Sequence, residues 1–382
     1  MDENVKKLLF SMIISALKDE PLNADLLPPI TPESLKTVFL LAKKHDLAHL
    51  VAYAIEKNGL LNEKKPAIEG SIMTAVYRYE QQHHELERIC ELLEAEGIDF
   101  LPLKGSVLRD YYPEGWMRTS SDIDILVKEA DFERARTAIV EKLGYRFEID
   151  STHDVSLFFG DNIHLEIHHT LIEDGLAQKA SELLADVWQY THAKAGKRYH
   201  KELADEAFYF YHIAHAAKHV ENGGCGIRPL VDLYILDRLD GADPEKRATI
   251  LQKSELEKFT AILQKINRVW FEGEAHDATS QKAERFILDG GVYGNTENAL
   301  AIEEQKKGGR VGYLLSMVFL PYHRLKRQYP ILEKHRWLMP LMQVRRWFRL
   351  IFCGRIKPMM NRLKHNESEA ATVKDFLSEI GL

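Results

Sequence analysis

The chain has little cysteine. Its three, Cys90, Cys225 and Cys353, lie far apart and form no C-x-x-C pair. That spacing argues against a disulfide framework or a zinc knuckle. It fits a reducing compartment, so the expected location is cytoplasmic. Long apolar runs are also missing, and none approaches the ~20 residues that a bilayer-spanning helix needs. The nearest imitation is Leu8 to Leu17 after Lys6-Lys7. Asp2-Glu3 precede it, and Lys18-Asp19-Glu20 follow without a small-residue cleavage site. The expectation there is an amphipathic helix that buries Leu8, Leu9, Met12, Ile13 and Ala16. Nor is there an excess of positive charge. The net charge of −7 gives no global reason to expect a nucleic-acid partner. What remains is 382 residues of ordinary composition, 45% hydrophobic and 29% charged, enough for two or three domains.

Against that background one stretch concentrates the chemistry, Leu103 to Val127. In Asp122-Ile123-Asp124-Ile125-Leu126-Val127 the apolar partners are β-branched or aliphatic, which predicts a strand. Side chains two apart on a strand share a face, so both carboxylates point the same way. Carboxylates that close repel unless a cation sits between them. Mg²⁺, with its preference for oxygen ligands, resolves the repulsion. A bare D-x-D is also compatible with carboxylates that simply face water, so the neighbours decide. Upstream, Ile98 to Leu103 reads as a strand running into Lys104-Gly105-Ser106, followed by a short helix over Val107 to Tyr112. Strand, Gly-Ser turn and helix start make a phosphate cradle, because glycine lets the backbone approach and free N–H groups face the anion. Downstream, Asn162 to His169 alternates in polarity and sets Glu166 between Leu165 and Ile167, a third carboxylate on a strand.

Gly105-Ser106, Asp122-Ile123-Asp124 and Leu165-Glu166-Ile167 together resemble the G-S … D-h-D … h-[DE]-h pattern of the DNA polymerase β-like nucleotidyltransferase superfamily. More narrowly, Leu103-Lys104-Gly105, Tyr111-Tyr112, Arg118, Asp122 to Val127 and Glu166-Ile167-His168 are similar to a bacterial family, the uncharacterised nucleotidyltransferases. The likeness spans roughly residues 30 to 350 and is tight from about 98 to 170. The family more often shows Asp where this chain has Glu166, a change the superfamily pattern allows. The resemblance implies Mg²⁺-dependent transfer of a nucleoside monophosphate from an NTP to an unnamed hydroxyl acceptor, with release of pyrophosphate. It implies two Mg²⁺ ions, with Mn²⁺ as the alternative, held by the catalytic carboxylates Asp122, Asp124 and Glu166. Gly105 and Ser106 would hold the triphosphate, and Lys104 and Arg118 would neutralise its charge. ATP is the expected donor, although no base-recognition motif is legible. His168, on the strand face of Glu166, is a candidate to orient it or the acceptor; the resemblance places Arg228 and Asp232 in a motif packed against the active site, and His215 is a further supporting candidate. Pairing of Arg118 with Asp110 or Glu114, and of Arg228 with Asp232, are the structural alternatives.

The expected fold class is α/β (α+β): a small mixed-sheet nucleotidyltransferase unit embedded between two helical regions. The expected boundaries are 1–95, 96–200 and 201–382. Leu35, Val38, Phe39 and Ala42 recur at helical spacing after Thr31-Pro32, and Ala67 to Glu94 is a long helical pattern closed by Gly97. Phe132 to Leu143 predicts a helix ending at Gly144. Tyr145 to Ile149, Val155 to Phe159 and Ile163 to His168 predict strands, with Gly160-Asp161-Asn162 as a hairpin turn. In Ala204 to Val220, His212, His215 and His219 share one helix face, as a metal or phosphate site or as a polar seam against the catalytic unit. Between Lys306 and Lys364 fifteen basic residues face one acidic residue, Glu333, with Trp337, Trp347, Phe348 and Phe352 interleaved. That segment suits nucleic acid, another polyanion or anionic lipid; the alternative is a helical bundle with an aromatic core. Glu367 to Ile380 reads as an amphipathic helix. Two alternatives to an enzyme stand beside it: a nucleotide-binding regulatory module without turnover, and an antitoxin-like interaction protein.

Overall fold

The computed structural model describes the chain except residues 1, 24, 26, 62–64, 151–153, 173–175, 293 and 353–366. Cys353 and four of the basic residues, Arg355, Lys357, Arg362 and Lys364, lie outside the described residues. Four helices open the chain: α1 (Glu3–Lys18), α2 (Pro32–Lys44), α3 (Ala48–Lys57) and α4 (Pro66–Ala95). The Asp2 side chain caps α1 by accepting from the Asn4 N–H, and Leu8, Leu9, Met12, Ile13 and Ala16 are buried as their spacing requires. Thr31 and Ser34 close a reciprocal capping box at the start of α2. The 30-residue α4 ends where Gly97 turns left-handed and the Ile98 N–H returns to the Leu93 carbonyl. That bond ties Ile98 to the helix. The strand expected from Ile98 therefore starts two residues later, as β1 (Phe100–Leu103).

After β1 come α5 (Gly105–Leu108), a 3₁₀ turn at Arg109–Tyr111, β2 (Ile123–Val127) and α6 (Phe132–Leu143). Gly144, left-handed at φ 77°, stops α6 where the sequence predicts. Then follow β3 (Arg146–Asp150), β4 (Asp154–Phe159) and β5 (Ile163–His168). These five strands form one mixed sheet in the order β1-β2-β5-β4-β3, parallel only between β2 and β5. The sheet's two faces are chemically distinct because side chains alternate. Ile123, Ile125 and Val127 of β2 pack with Leu165 and Ile167 of β5 against Ile89 and Leu93 of α4 and Ala135 and Ile139 of α6. Every intervening residue, Asp124 and Glu166 included, must then point to the opposite face.

Next come α7 (Gln178–Ala185) and a hairpin of β6 (Thr191–Ala193) and β7 (Lys201–Leu203), which borders β1 through a bridge from His200 to Phe100; α8 (Asp205–Val220) and α9 (Arg228–Leu236) stand on the opposite side of the sheet. They are followed by α10 (Pro244–Lys253), α11 (Glu257–Glu272) and α12 (Ala278–Gly290). These helices share one apolar core with α1 to α3 and with the final helix Glu367–Ile380, whose Val373, Phe376, Leu377 and Ile380 are buried. Leu101, Leu103 and Leu126 reach into the same core from the sheet. Helices at Tyr322–Gln328, Ile331–Lys334 and Met339–Phe352 gather around a separate small cluster of Leu325, Leu332 and Met342, after a helix at Arg310–Val318. The architecture is a mixed α/β fold with a small mixed sheet set among helices.

Candidate active site

The site starts from strand register. β2 and β5 run parallel with Asp124 opposite Glu166, and both side chains face away from the α4–α6 core. The ligand atoms of Asp124, Glu166 and His168 lie within 4.8 Å of one another, and so do those of Asp122, His164 and Glu166. Glu166 belongs to both groups. It thus draws together two segments some forty residues apart. Asp122, just before β2, is held from behind: Ser120 Oγ donates toward its side-chain and backbone oxygens at 3.1 and 2.9 Å. Ser120 also explains Gly105. A Cβ at that position would stand 2.7 Å from Ser120 Oγ, so the turn closes on the strand only without a side chain.

Lys104 forms the elbow between β1 and α5 with φ 47° and ψ −124°, a conformation that strains any residue with a Cβ. The elbow sends its ammonium to Asp124, with Nζ 2.7 Å from Oδ1. His168 Nε2 stands 2.9 Å from the same oxygen. Asp124 is 1% exposed. Burial opposes its ionisation, but the charge of Lys104 and the hydrogen bond and charge of His168 outweigh that and hold it well below the usual carboxylate range. Glu166 goes the other way. Burial first, then the charge of Asp124, push it up to about 8. One carboxylate is thus neutralised by a built-in cation, and its neighbour tends to keep a proton. This donor set fits a hard divalent cation: Glu166 brings a carboxylate beside both Asp122 and Asp124, with His164 and His168 as neighbouring nitrogen donors and Lys104 as the cation already at Asp124.

The carboxylates open into a cavity of about 340 Å³ between the sheet and helices α8 and α9. Lys104, Gly105 and Arg118 line it on the sheet side, and His215, Arg228 and Asp232 line it opposite. Several partners differ from expectation. Arg118 pairs with neither Asp110 nor Glu114: its Nε and Nη2 reach Asp232 at 2.6 and 2.9 Å, and Nη1 donates to the Thr119 carbonyl. Tyr112 donates to the same Asp232 at 2.7 Å. Arg118 is therefore committed to a buried clamp that holds the loop before β2 against α9. Arg228, in turn, bonds Asp46 at 2.7 Å rather than Asp232, because Arg118 already occupies that carboxylate. Ser106 also departs from expectation. Its Oγ is buried with no hydrogen-bond partner and lines a second cavity, behind the turn, that includes His200 and Glu202.

The α8 histidines make a polar seam along the cavity. His212 Nε2 lies 2.9 Å from the Pro229 carbonyl, and the Nε2 atoms of His215 and His219 are 2.9 Å apart. Burial, then the charge of Lys104, keep His215 well below the ordinary imidazole range, and hence neutral. Among the described residues these histidines form no metal-holding group; the groups that do are the two on the sheet. Residues missed by sequence reasoning include Ser120, Asp46 and Asp154, the last of which stands beside His168 in register and lines the cavity. Asp154 opens β4 after an Asp-Ser-Thr-His run whose polarity reads as a loop. Asp46 meets Arg228 across 182 residues of sequence, which no local pattern signals.

No curated protein matches the chain. Among solved structures it is similar to the antibiotic-resistance factor ANT(2'')-Ia, with 15% identity over 51% of this chain and 93% of that one. The TM-score is 0.27, too slight a likeness to settle fold or activity. The informative match is to a family model described as uncharacterised nucleotidyltransferase, over residues 32–272. That span runs from α2 to the end of α11 and contains Lys104, all three converging carboxylates and the Arg118–Asp232 clamp. With well over half its length matched, the chain belongs to the uncharacterised nucleotidyltransferase family, a membership that supports nucleotidyl transfer as its class of chemistry.

Proposed function

We propose that the protein is a Mg²⁺-dependent enzyme that transfers a nucleoside monophosphate from an NTP, ATP first among them, to an acceptor hydroxyl and releases pyrophosphate. The observation that supports this most is Glu166, from a strand distant in sequence, lying within 4.8 Å of both Asp122 and Asp124. Asp122, Asp124 and Glu166 would hold the metal, with Mn²⁺ as a substitute for Mg²⁺. Bound there, divalent ions stabilise charge on the entering and leaving oxygens of the displacement.

The chain's own groups divide the remaining work. Gly105 borders the cavity where the triphosphate would lie, in a turn that its missing side chain lets close against Ser120. Lys104 supplies a positive charge beside it. Arg228 takes the part expected of Arg118, since one of its nitrogens is accounted for by Asp46 and Thr119 and the side chain borders the cavity. Glu166, a carboxylate once the metal has displaced its proton, would also be the group to accept the acceptor's proton. His168 orients Asp124. Arg118 and Asp232 fix the loop that carries Asp122, and His215, with His219 beside it, offers hydrogen bonds to whatever occupies the far wall.

Incubation of the protein with each α-labelled NTP and Mg²⁺ or Mn²⁺ tests the reading. Pyrophosphate release and transfer of label, both abolished by Asp122→Ala, are expected. Tight nucleotide binding with no turnover under any metal would instead favour a regulatory module.

A further inference from the structure

The helix Met339–Phe352 carries its apolar side chains on two faces. Its inner face holds Met342 and Gln343, both buried, with Met342 packed in the cluster of Leu325 and Leu332. Arg346 and Trp347 are tied back to the carbonyls of Met317 and Val318. The outer face should then be polar. Instead it presents Leu341, Val344 and Phe348 at spacings of three and four, exposed by 58%, 39% and 57%. Four residues before Leu341, in the 3₁₀ turn Arg336–Leu338, Trp337 extends the line and is 77% exposed. Eight of the thirteen exposed large apolar side chains among the described residues fall between Leu315 and Phe348, so this is a patch and not scatter. Arg345 and Arg349, each one position beyond an apolar member of the line, are exposed beside it. From Arg310 to Phe352 nine basic residues face Glu333 alone, in a chain whose net charge is −7.

We propose that this face is a docking surface for an anionic lipid bilayer. Trp337, Leu341 and Phe348 enter the boundary between headgroups and acyl chains, and Arg345 and Arg349 meet acidic headgroups. The two halves of the patch select this occupant together. Nucleic acid rewards arginine and aromatic rings but gains nothing from exposed Leu341 and Val344. A second copy of the chain would set one basic face against another. A neutral apolar protein would leave the arginines without counter-charge. The bilayer satisfies both. Because docking does not depend on nucleotidyl transfer, it is tested without an activity assay.

The test is co-sedimentation of the full chain with phosphatidylcholine vesicles and with vesicles in which about one-third of the lipid is phosphatidylserine. Binding to the anionic vesicles is expected to be at least about tenfold tighter and to weaken with salt. Arg345→Glu with Arg349→Glu, and separately Leu341→Ser with Phe348→Ser, should each weaken it about tenfold or more. All four side chains are exposed, and matched melting curves would verify that both variants fold. Equal binding to both vesicle types would overturn the proposal. So would a loss confined to the arginine variant. Single-stranded RNA bound more tightly than vesicles and indifferent to the Leu341→Ser, Phe348→Ser change would also overturn it. Self-association in sedimentation equilibrium, abolished by that same change, would replace the bilayer with a second copy.

Discussion

The cleft and the segment from Arg310 to Phe352 break opposite halves of the same rule. In the cleft, charged groups lie out of water: Asp124, Arg118 and Asp232 are all buried, and Glu166 is largely shielded. In the later segment, Trp337 and Phe348 lie in water. The cleft manages its violation internally, since each buried charge has a named partner: Lys104 and His168 for Asp124, Arg118 and Tyr112 for Asp232. On the outer face of Met339–Phe352, Leu341 and Val344 are exposed as well. The difference teaches where to look for each kind of partner. A network that already balances its charges asks for a ligand that exchanges with one of its members. An apolar face left open asks for something that covers it.

Removing half of a buried pair should give the largest effect. Asp232→Asn strands the Arg118 guanidinium, and a loss of about 3–5 kcal/mol of stability is expected in urea denaturation. The double change Arg118→Met with Asp232→Leu should recover much of it, because neither charge is then left unpaired. Glu166→Gln tests the other side of the cleft. Pyrophosphate release should fall by about 100-fold or more. Stability should hold or rise, and the sign follows from its pKa. The folded value near 8 lies above the ordinary 4.5, so the folded metal-free protein keeps a proton that the unfolded chain has released. That contribution is complete below pH 4.5 and is lost as pH rises through 8, and Gln removes the loss.

The same proton should appear in metal binding. Mn²⁺ affinity measured by calorimetry is expected to rise about tenfold per pH unit up to pH 8 and then level, since one proton must leave Glu166 for the metal to enter. Glu166→Gln should flatten the profile. The smallest effect belongs to the exposed face. Leu341→Ser or Phe348→Ser should change stability by no more than about 0.5 kcal/mol in the same urea experiment, because neither side chain is buried. A large loss there would mean that the face is part of the fold, and the contrast with the cleft would fail.

Much of this was legible in the residues alone, wherever the governing interaction is local. Alternation in Asp122 to Val127 and Ile163 to His168 dictates which side chains share a face. Gly144 ends α6 because a left-handed residue closes a helix, and Val373, Phe376, Leu377 and Ile380 line one side of the last helix because 3.6 residues make a turn. Pairing across long sequence separations was not legible. Nothing near Arg118 says that its partner is Asp232 rather than Asp110, and nothing near Arg228 points to Asp46. Nor does Ser106 announce that its hydroxyl will turn to the back of the elbow. Those choices depend on which helix packs against the open face of the sheet. That is decided by the closing of one shared core from both ends of the chain, a contest among many weak apolar contacts that local periodicity does not encode.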